Sequence, residues 1–169
     1  FELAKKYPDK YKSIVLIKSV TVVKSEEIGF IPGSAQEKMD PFMYSFTCLI
    51  DKLFENKGTA KRLLSAGVIE WLPLAFVRGI NIDNSIVILD ETQNISTDLF
   101  KTIITRLGKD SKIIFLGDTE QIDMKEKHKS CLAKICDMFK ESEFVKIVKF
   151  DETDCVRNKI IPQILKIFK

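Results

Sequence analysis

Short apolar runs followed directly by polar side chains are the clearest pattern along this chain. Residues 86–89 (Ile-Val-Ile-Leu) lead into Asp90 and Glu91, and residues 113–116 (Ile-Ile-Phe-Leu) lead into a glycine and Asp118. Short runs that are apolar at every position predict strands buried on both faces of a parallel sheet. Because parallel strands end at the same edge of a sheet, we expect the polar groups after both runs to lie side by side.

The rest of the chain alternates between strand-like and helix-like spacing. Strands are predicted at residues 13–17, 68–72 and 144–150, and residues 20–23 could continue the first of them. Helical spacing and capping residues predict helices, which cover residues 1–7, 40–56, 61–66, 96–107, 130–140 and 160–168. This alternation predicts a single α/β domain, residues 1–169, with helices on both faces of a mostly parallel sheet.

Particular residues fix two of the helix boundaries. Asp40 resembles an N-cap with Pro41 at the first helical position, so residues 24–40, with their glycines and proline, are predicted to be a loop. Ser96 resembles an N-cap, and Gly108 resembles the C-terminal stop of the helix that follows Ser96.

Composition narrows the classes of function. No apolar run reaches the roughly 18–20 residues of a membrane span, so we expect no membrane partner. The net charge of +3 permits contact with nucleic acid without arguing for it. The four cysteines form no Cys-x-x-Cys pair and the chain has one histidine, so zinc ligation is not indicated. We interpret the cysteines as reduced, mostly buried thiols of a cytoplasmic protein.

The adjacent carboxylates of Asp90 and Glu91 suit nucleotide hydrolysis. Mg²⁺ bridges phosphate oxygens in ATP hydrolysis, and an aspartate can hold the water ligands of that ion. A neighbouring glutamate can accept a proton from the attacking water. A strand end is rigid and faces the crevice at the sheet edge, as this chemistry requires. The alternative is that the two acids only begin a solvated turn.

The loop after residues 113–116 carries a second candidate group. Gly117 would let the chain turn close to a phosphate, and the amide of Gln121 can contact a γ-phosphate or orient water without adding negative charge. The alternative is an ordinary polar loop.

Arginine is scarce in this chain, with four among the 27 basic residues. Arg78, Arg106 and Arg157 stand beside the motifs described here. A guanidinium can stabilise the charge that develops on a γ-phosphate during transfer. Surface ion pairs are the alternative for each of them.

Several segments, taken in order, carry a family resemblance. They are Gly-Phe-Ile-Pro-Gly at 29–33 with Glu-Lys at 37–38 and Asp-Pro at 40–41, Pro-Leu-Ala-Phe-Val-Arg-Gly at 73–79, Asp-Glu-Thr-Gln-Asn at 90–94, Thr-Arg-Leu-Gly at 105–108, Gly-Asp-Thr-Glu-Gln-Ile-Asp at 117–123 and Asp-Cys-Val-Arg at 154–157. Together they resemble the PhoH-like family of P-loop ATPases, which are relatives of superfamily 1 helicases. The resemblance runs over nearly the whole chain.

The resemblance implies a RecA-like P-loop NTPase core that lacks its first strand and its phosphate loop. It implies ATP and Mg²⁺ as cofactors, and ATP hydrolysis coupled to RNA or DNA. Members of the family form ring-like oligomers, so a homo-oligomer is expected, and a hexameric ring is one form that it could take.

The resemblance also assigns roles to single residues. Asp90 would hold Mg²⁺ through water, Glu91 would be the general base and Gln121 would sense the γ-phosphate. Arg106 or Arg157 would stabilise the transition state, in the same subunit or across a subunit contact. The remaining nucleotide-binding residues would be Asp118, Gln93 and Arg78.

The chain departs from the family pattern in three places. The loop Gly-x-x-Gly-x-Gly-Lys-Thr is absent from these 169 residues, so we expect an N-terminally truncated domain that alone binds ATP poorly and is inactive. Lys18-Ser19 stands where Arg-Pro is usual, and Thr92 stands where alanine is usual.

Two other functions remain open from the sequence. One is a metal-dependent nuclease with two ions held by four acids, which would be Asp90, Glu91, Asp118 and Asp123. The other is a non-catalytic ATPase remnant that acts as an assembly module.

Overall fold

A computed structural model describes residues 1–19, 35–156 and 160–167. The chain divides into two compact units, residues 1–134 and 135–169. The first unit holds a four-stranded sheet, made of β1 (Ser13–Lys18), β2 (Ile69–Trp71), β3 (Ser85–Asp90) and β4 (Lys112–Phe115). The strand order is β2-β1-β3-β4, and all neighbouring strands are parallel. The predicted parallel α/β sheet is therefore confirmed.

The described residues contain six α-helices. They are α1 (Glu2–Lys6), α2 (Ala35–Leu53), α3 (Thr59–Ser65), α4 (Thr97–Ile104), α5 (Leu132–Met138) and α6 (Ile160–Ile167). Ser96 caps α4 as predicted, because its hydroxyl accepts a hydrogen bond from the Leu99 backbone N–H at 3.3 Å.

One face of the sheet packs against the first three helices. Alternate residues of β1 and β3 enter this core, among them Ile14, Leu16 and Ile86. Met43 of α2 and Ala60 of α3 are fully buried beside them. Alternation of side chains along a strand sends the intervening residues to the other face.

The opposite face of the sheet packs against α4. Val87 and Leu89 of β3 are fully buried there. Phe100 of α4 lies against Phe115 of β4, with ring centroids 4.8 Å apart. Helices therefore cover both faces of the sheet, as the doubly apolar strands predicted.

The predicted start of the second helix is wrong. Helix α2 begins at Ala35, so Asp40 and Pro41 lie inside it. Residues 35–39 (Ala-Gln-Glu-Lys-Met) are all strong helix formers, which favours extension of the helix toward its N-terminus. Residues 20–34, including the predicted extension at 20–23, lie outside the described residues.

The predicted strand at residues 144–150 is also wrong, because these residues form neither helix nor strand. Phe144 is 97% exposed and Phe150 is 79% exposed. A segment rich in β-branched and aromatic residues forms a strand only where a neighbouring strand takes up its backbone hydrogen bonds. None of the described strands pairs with this segment.

Gly108 does not end α4 in the way predicted. The helix ends at Ile104, and Gly108 follows three irregular residues later. A Cβ atom at Gly108 would lie 2.8 Å from Cγ of Asp83, whose carboxylate accepts a hydrogen bond from the Lys109 backbone N–H at 2.6 Å. Close packing, and not helix termination, explains the glycine.

Two general expectations can be compared with the described residues. Within them, no helix is long and apolar enough to cross a membrane. All four cysteines lie in the described residues, and each is in the reduced thiol form. Cys131 is buried and Cys48 is exposed, so the expectation of mostly buried thiols is wrong for Cys48.

Asp51 connects α2 to the beginning of α3. Its carboxylate accepts hydrogen bonds from the backbone N–H groups of Ala60 at 2.9 Å and Gly58 at 2.8 Å. These two bonds hold the pKa of Asp51 below its usual value, with Ala60 the larger cause.

We predict that Asp51→Ala lowers the thermal unfolding midpoint at pH 7. The folded-state pKa is depressed, so this contribution is present above about pH 4 and is lost as the pH falls through the folded pKa. The difference in midpoint from the unaltered protein should therefore shrink toward pH 3. Asp9→Ala, at an exposed turn before β1, is the control. An equal difference at both pH values would contradict the assignment.

Candidate functional site

The carboxyl ends of three strands lie side by side. Lys18, the last residue of β1, pairs in register with Asp90, the last residue of β3. Leu89 of β3 pairs with Phe115 of β4. The backbone N–H of Leu116, the residue after β4, donates to the Leu89 carbonyl at 2.8 Å. The sheet edge predicted to be polar is therefore one continuous edge.

Glu91 turns the chain sharply at this edge. Its φ of 59° and ψ of 40° lie in the left-handed region, which costs a residue other than glycine roughly 1–3 kcal/mol. The 3-10 turn Thr92–Asn94 follows immediately. All three of its residues are buried, with exposed fractions of 1%, 1% and 7% along the chain. The strained turn thus places three polar side chains inside the protein.

The side chain of Gln93 connects the two polar loops. Its Nε2 donates to Glu91 Oε2 at 2.8 Å and to the backbone carbonyl of Gln121 at 3.0 Å. Its Oε1 accepts from the backbone N–H of Asp118 at 3.1 Å. This amide orientation follows from the chemistry, since the two acceptors can face only the NH₂ group.

Asn94 provides a second connection. Its Oδ1 accepts from the backbone N–H of Asp123 at 2.8 Å, and its carbonyl accepts from the Ser19 hydroxyl at 3.2 Å. The backbone N–H of Thr92 donates to the Leu116 carbonyl at 2.9 Å. The buried turn therefore fixes the ends of β1 and β4 relative to β3.

The loop after β4 has a defined internal arrangement. Asp118 accepts hydrogen bonds from the Glu120 backbone N–H at 2.9 Å and from the Gln121 side chain at 2.7 Å. Both Asp118 and Gln121 are exposed, so their side chains can be reached from solvent. The structure thus brings together Asp118 and Gln121 in one loop, and Gln93 joins that loop to Glu91.

A lysine stands beside Asp90. Lys18 Nζ is 3.8 Å from Asp90 Oδ2 and donates to the Ser45 hydroxyl at 3.1 Å. The two charged side chains are 21% and 29% exposed. The Lys18 ammonium group therefore lies where the negative charge of Asp90 attracts a cation.

Of the three candidate arginines, Arg106 lies away from this edge of the sheet. Arg106 follows α4, which runs back from this edge, and its carbonyl accepts from the Ile82 N–H at 2.8 Å just before β3 begins. It therefore lies toward the amino-terminal edge of the strands, with its Nε buried and unpaired. Arg78 is exposed in the loop between β2 and β3, and Arg157 lies outside the described residues.

The residues at the edge suit Mg²⁺ better than a softer metal. Asp90, Glu91, Asp118 and Gln121 offer carboxylate and amide oxygens, the ligands that Mg²⁺ prefers. Within the described ranges, no three His, Cys, Asp or Glu side chains gather in a group able to hold a metal ion. One or two carboxylates with water and phosphate oxygens is the usual Mg²⁺ arrangement, and it matches this sparse set.

The sequence did not single out the contacts of Lys18, Thr92 and Asn94. Thr92 and Lys18 stood out only as departures from the family pattern, and Asn94 only as a member of a motif. The burial of three consecutive polar residues directly after a strand leaves no periodic pattern of apolar positions in the sequence, so it could not be predicted. Only the parallel register of β3 and β4 shows that the side-chain amides of Gln93 and Asn94 face the loop after β4.

A parallel sheet with acidic side chains at its carboxyl edge and helices on both faces is consistent with a P-loop NTPase-like α/β domain. A sequence profile described as PhoH-like protein matches residues 3–169. The chain is 38% identical to a PhoH-like protein of Bacillus subtilis (strain 168) over 159 residues, 93% of this chain and 49% of that protein.

More distant relatives give the same result. The chain is 36% identical over 150 residues to a PhoH-like protein of Synechocystis sp., covering 88% of this chain and 45% of the relative. It is 32% identical over 155 residues to Protein PhoH of Escherichia coli (strain K12), covering 89% and 43%. The chain belongs to the PhoH-like family, a family of P-loop ATPases. It spans less than half the length of each of these relatives.

We predict that replacing Thr92 with the usual family residue is tolerated. The Thr92 hydroxyl donates to the Leu89 carbonyl at 3.3 Å, and that carbonyl also accepts from Leu116. Thr92→Val should lower the free energy of unfolding by about 0.5–1.5 kcal/mol, the usual value of one hydrogen bond. Thr92→Ala should cost slightly more because it also removes a buried methyl group. Denaturant unfolding measures both, and a loss above about 3 kcal/mol in Thr92→Val would contradict this account.

Proposed function

We propose that the protein containing this chain hydrolyses ATP with Mg²⁺ at the edge formed by β3 and β4. The observation that carries the proposal is the Glu91 carboxylate, which follows Asp90 in the chain and which Gln93 connects to the loop of Asp118 and Gln121. Membership in the PhoH-like family supports a nucleotide as the substrate.

Each carboxylate has a separate role in this proposal. Asp90 ends a strand paired on both sides, so its side chain is rigidly placed to hold water ligands of the ion. Bound Mg²⁺ would neutralise phosphate charge. Lys18 would give way as the ion approaches Asp90, since both are cations that contact the same carboxylate.

Glu91 is the proposed general base. Gln93 donates to Oε2 and so fixes the plane of the carboxylate, and Oε1 would accept the proton of the attacking water. The left-handed backbone at Glu91 sets the direction of the side chain.

Gln121 is the proposed sensor of the γ-phosphate. Its amide now donates to Asp118, and a phosphate oxygen could replace that acceptor. The backbone carbonyl of Gln121 accepts a hydrogen bond from the same Gln93 nitrogen that donates to Glu91. A movement of this loop would therefore be passed to the Glu91 carboxylate through the Gln93 side chain.

Two further properties are proposed on the family resemblance alone, namely the coupling of hydrolysis to RNA or DNA and a homo-oligomer. A cytoplasmic location is proposed from the cysteines, which carry no disulfide pattern. Arg106 or Arg157 would serve as the transition-state arginine, and Arg78 would contact the nucleotide. The position of Arg106 toward the opposite edge favours a role across a subunit contact. The phosphate loop is not among these 169 residues, so the tests use the product of the complete coding sequence.

The nuclease hypothesis gains no support from the geometry. A two-metal nuclease needs several carboxylates around ions about 4 Å apart. The part of the chain that the structure describes has no such group of three or more. Asp123 contributes its backbone N–H, which is bonded to Asn94. The hypothesis of a non-catalytic assembly module would require that the complete protein bind no nucleotide.

We predict that Glu91→Gln binds ATP but turns it over at least about 100-fold more slowly, because the variant lacks the proton acceptor. Steady-state hydrolysis and equilibrium ATP binding, measured on the same preparation, test this. Glu70→Gln makes the same chemical change at an exposed residue of β2 and is the control. Normal turnover by Glu91→Gln would contradict the assignment of the base.

We predict that Asp90→Asn raises the Mg²⁺ concentration needed for half-maximal hydrolysis by about 10–100-fold, as expected for a residue that orients metal ligands. Lys18→Met should shift the same midpoint in the opposite direction, because it removes a competing cation 3.8 Å from Asp90. Shifts of equal sign in the two variants would contradict the proposed site.

A further inference from the structure

The position of Gln93 differs from the one that the family resemblance implied. The resemblance assigned it to nucleotide binding, yet its side chain is 1% exposed and each polar atom already has a protein partner. A residue this deeply buried, with both N–H groups and its oxygen in use, is poorly placed to contact a substrate.

We propose that Gln93 is a positioning residue, which holds the Glu91 carboxylate and the loop of residues 117–121 in one fixed arrangement. The inference rests on the proposed ATP hydrolysis, because it assigns Glu91 as the base. Gln93 acts through Glu91 and through the loop backbone, and it does not touch the nucleotide.

Only an amide meets the requirements of this position. Glu91 Oε2 and the Gln121 carbonyl both need a donor, whereas the Asp118 N–H needs an acceptor. Glutamate would place a second carboxylate against Glu91 and against a carbonyl oxygen. Methionine has nearly the same length and supplies none of the three hydrogen bonds.

Gly117 supports the same conclusion from the other side of the contact. A Cβ atom there would lie 2.6 Å from Gln93 Oε1, 2.9 Å from Leu132 Cδ2 and 3.2 Å from the Gln93 backbone nitrogen. Its φ lies outside the left-handed range, so backbone conformation does not require glycine. The close approach of Gln93 requires it.

Asn94 offers a matched control within the same turn. It holds the Asp123 N–H in the way that Gln93 holds the Asp118 N–H. The two amides therefore anchor the loop at points five residues apart. Removing one should release one anchor and leave the other.

Amide hydrogen exchange tests the contact without any nucleotide. Gln93→Met should speed exchange at the Asp118 backbone amide roughly fivefold, as expected for the loss of one hydrogen bond of about 1 kcal/mol, and should leave exchange at the Asp123 amide unchanged. Asn94→Leu should speed exchange at the Asp123 amide and leave exchange at the Asp118 amide unchanged. Exchange at Asp118 that is unaffected by Gln93→Met would overturn the proposal.

Steady-state kinetics tests the role in hydrolysis. Gln93→Met should lower kcat roughly 10–100-fold, because the base is misplaced, while KM for ATP changes less than about threefold. A direct contact with the nucleotide would instead raise KM with kcat largely kept, and that result would overturn the proposal. Gln93→Glu should not restore kcat, since it places a negative charge beside the base.

Gly117→Ala is a second variant at an exposed residue, in case Gln93→Met does not fold. It should lower kcat without raising KM. Combined with Gln93→Ala, which removes the nearest of the atoms that the new Cβ would meet, it should cost clearly less than the sum of the single effects. Simple additivity would overturn the proposed contact.

The inference and the proposed function can fail separately. An unaltered complete protein with no ATPase activity would overturn the proposed function and the positioning role together. Normal hydrolysis by the unaltered protein and by Gln93→Met would overturn only the positioning role.

Discussion

Everything at the candidate site depends on the buried polar turn that follows β3. Three polar side chains enter the interior directly after the acidic pair, and their backbone and amide groups are bonded to the ends of β1 and β4. A buried amide without partners would cost several kcal/mol, so these bonds fix the geometry strongly. The strained backbone of Glu91 is tolerated because the bonds beyond it hold the turn.

The same turn connects a rigid part of the sheet edge, the end of β3, to a loop whose hydrogen bonds can change when a ligand binds. Asp90 sits at the end of a strand with neighbours on both sides, and cannot shift without disturbing the sheet. Asp118 and Gln121 lie in an exposed loop whose internal bonds can be exchanged for bonds to a ligand. The side-chain amide of Gln93 donates both to the Glu91 carboxylate and to the backbone of this loop, so Glu91 and the adaptable loop share one hydrogen-bonding side chain.

Sequence reasoning located the strands and the acidic edge because apolar runs and parallel topology are strong, local signals. It misplaced the start of α2, where Pro41 looked like a first helical residue although good helix formers precede it. It predicted a strand at residues 144–150 from the local sequence, yet a strand also needs a partner. It assigned Gln93 to the nucleotide because a motif gives residue identity and not burial.

The most direct test of the central claim is a crystal structure of the complete protein with Mg²⁺ and a non-hydrolysable ATP analogue. The account predicts that the ion lies beside Asp90 in the place of the Lys18 ammonium group. It also predicts that Glu91, still bonded to Gln93, faces the γ-phosphate. A nucleotide bound away from the end of β3, or a Gln93 side chain turned outward onto the ligand, would contradict the account.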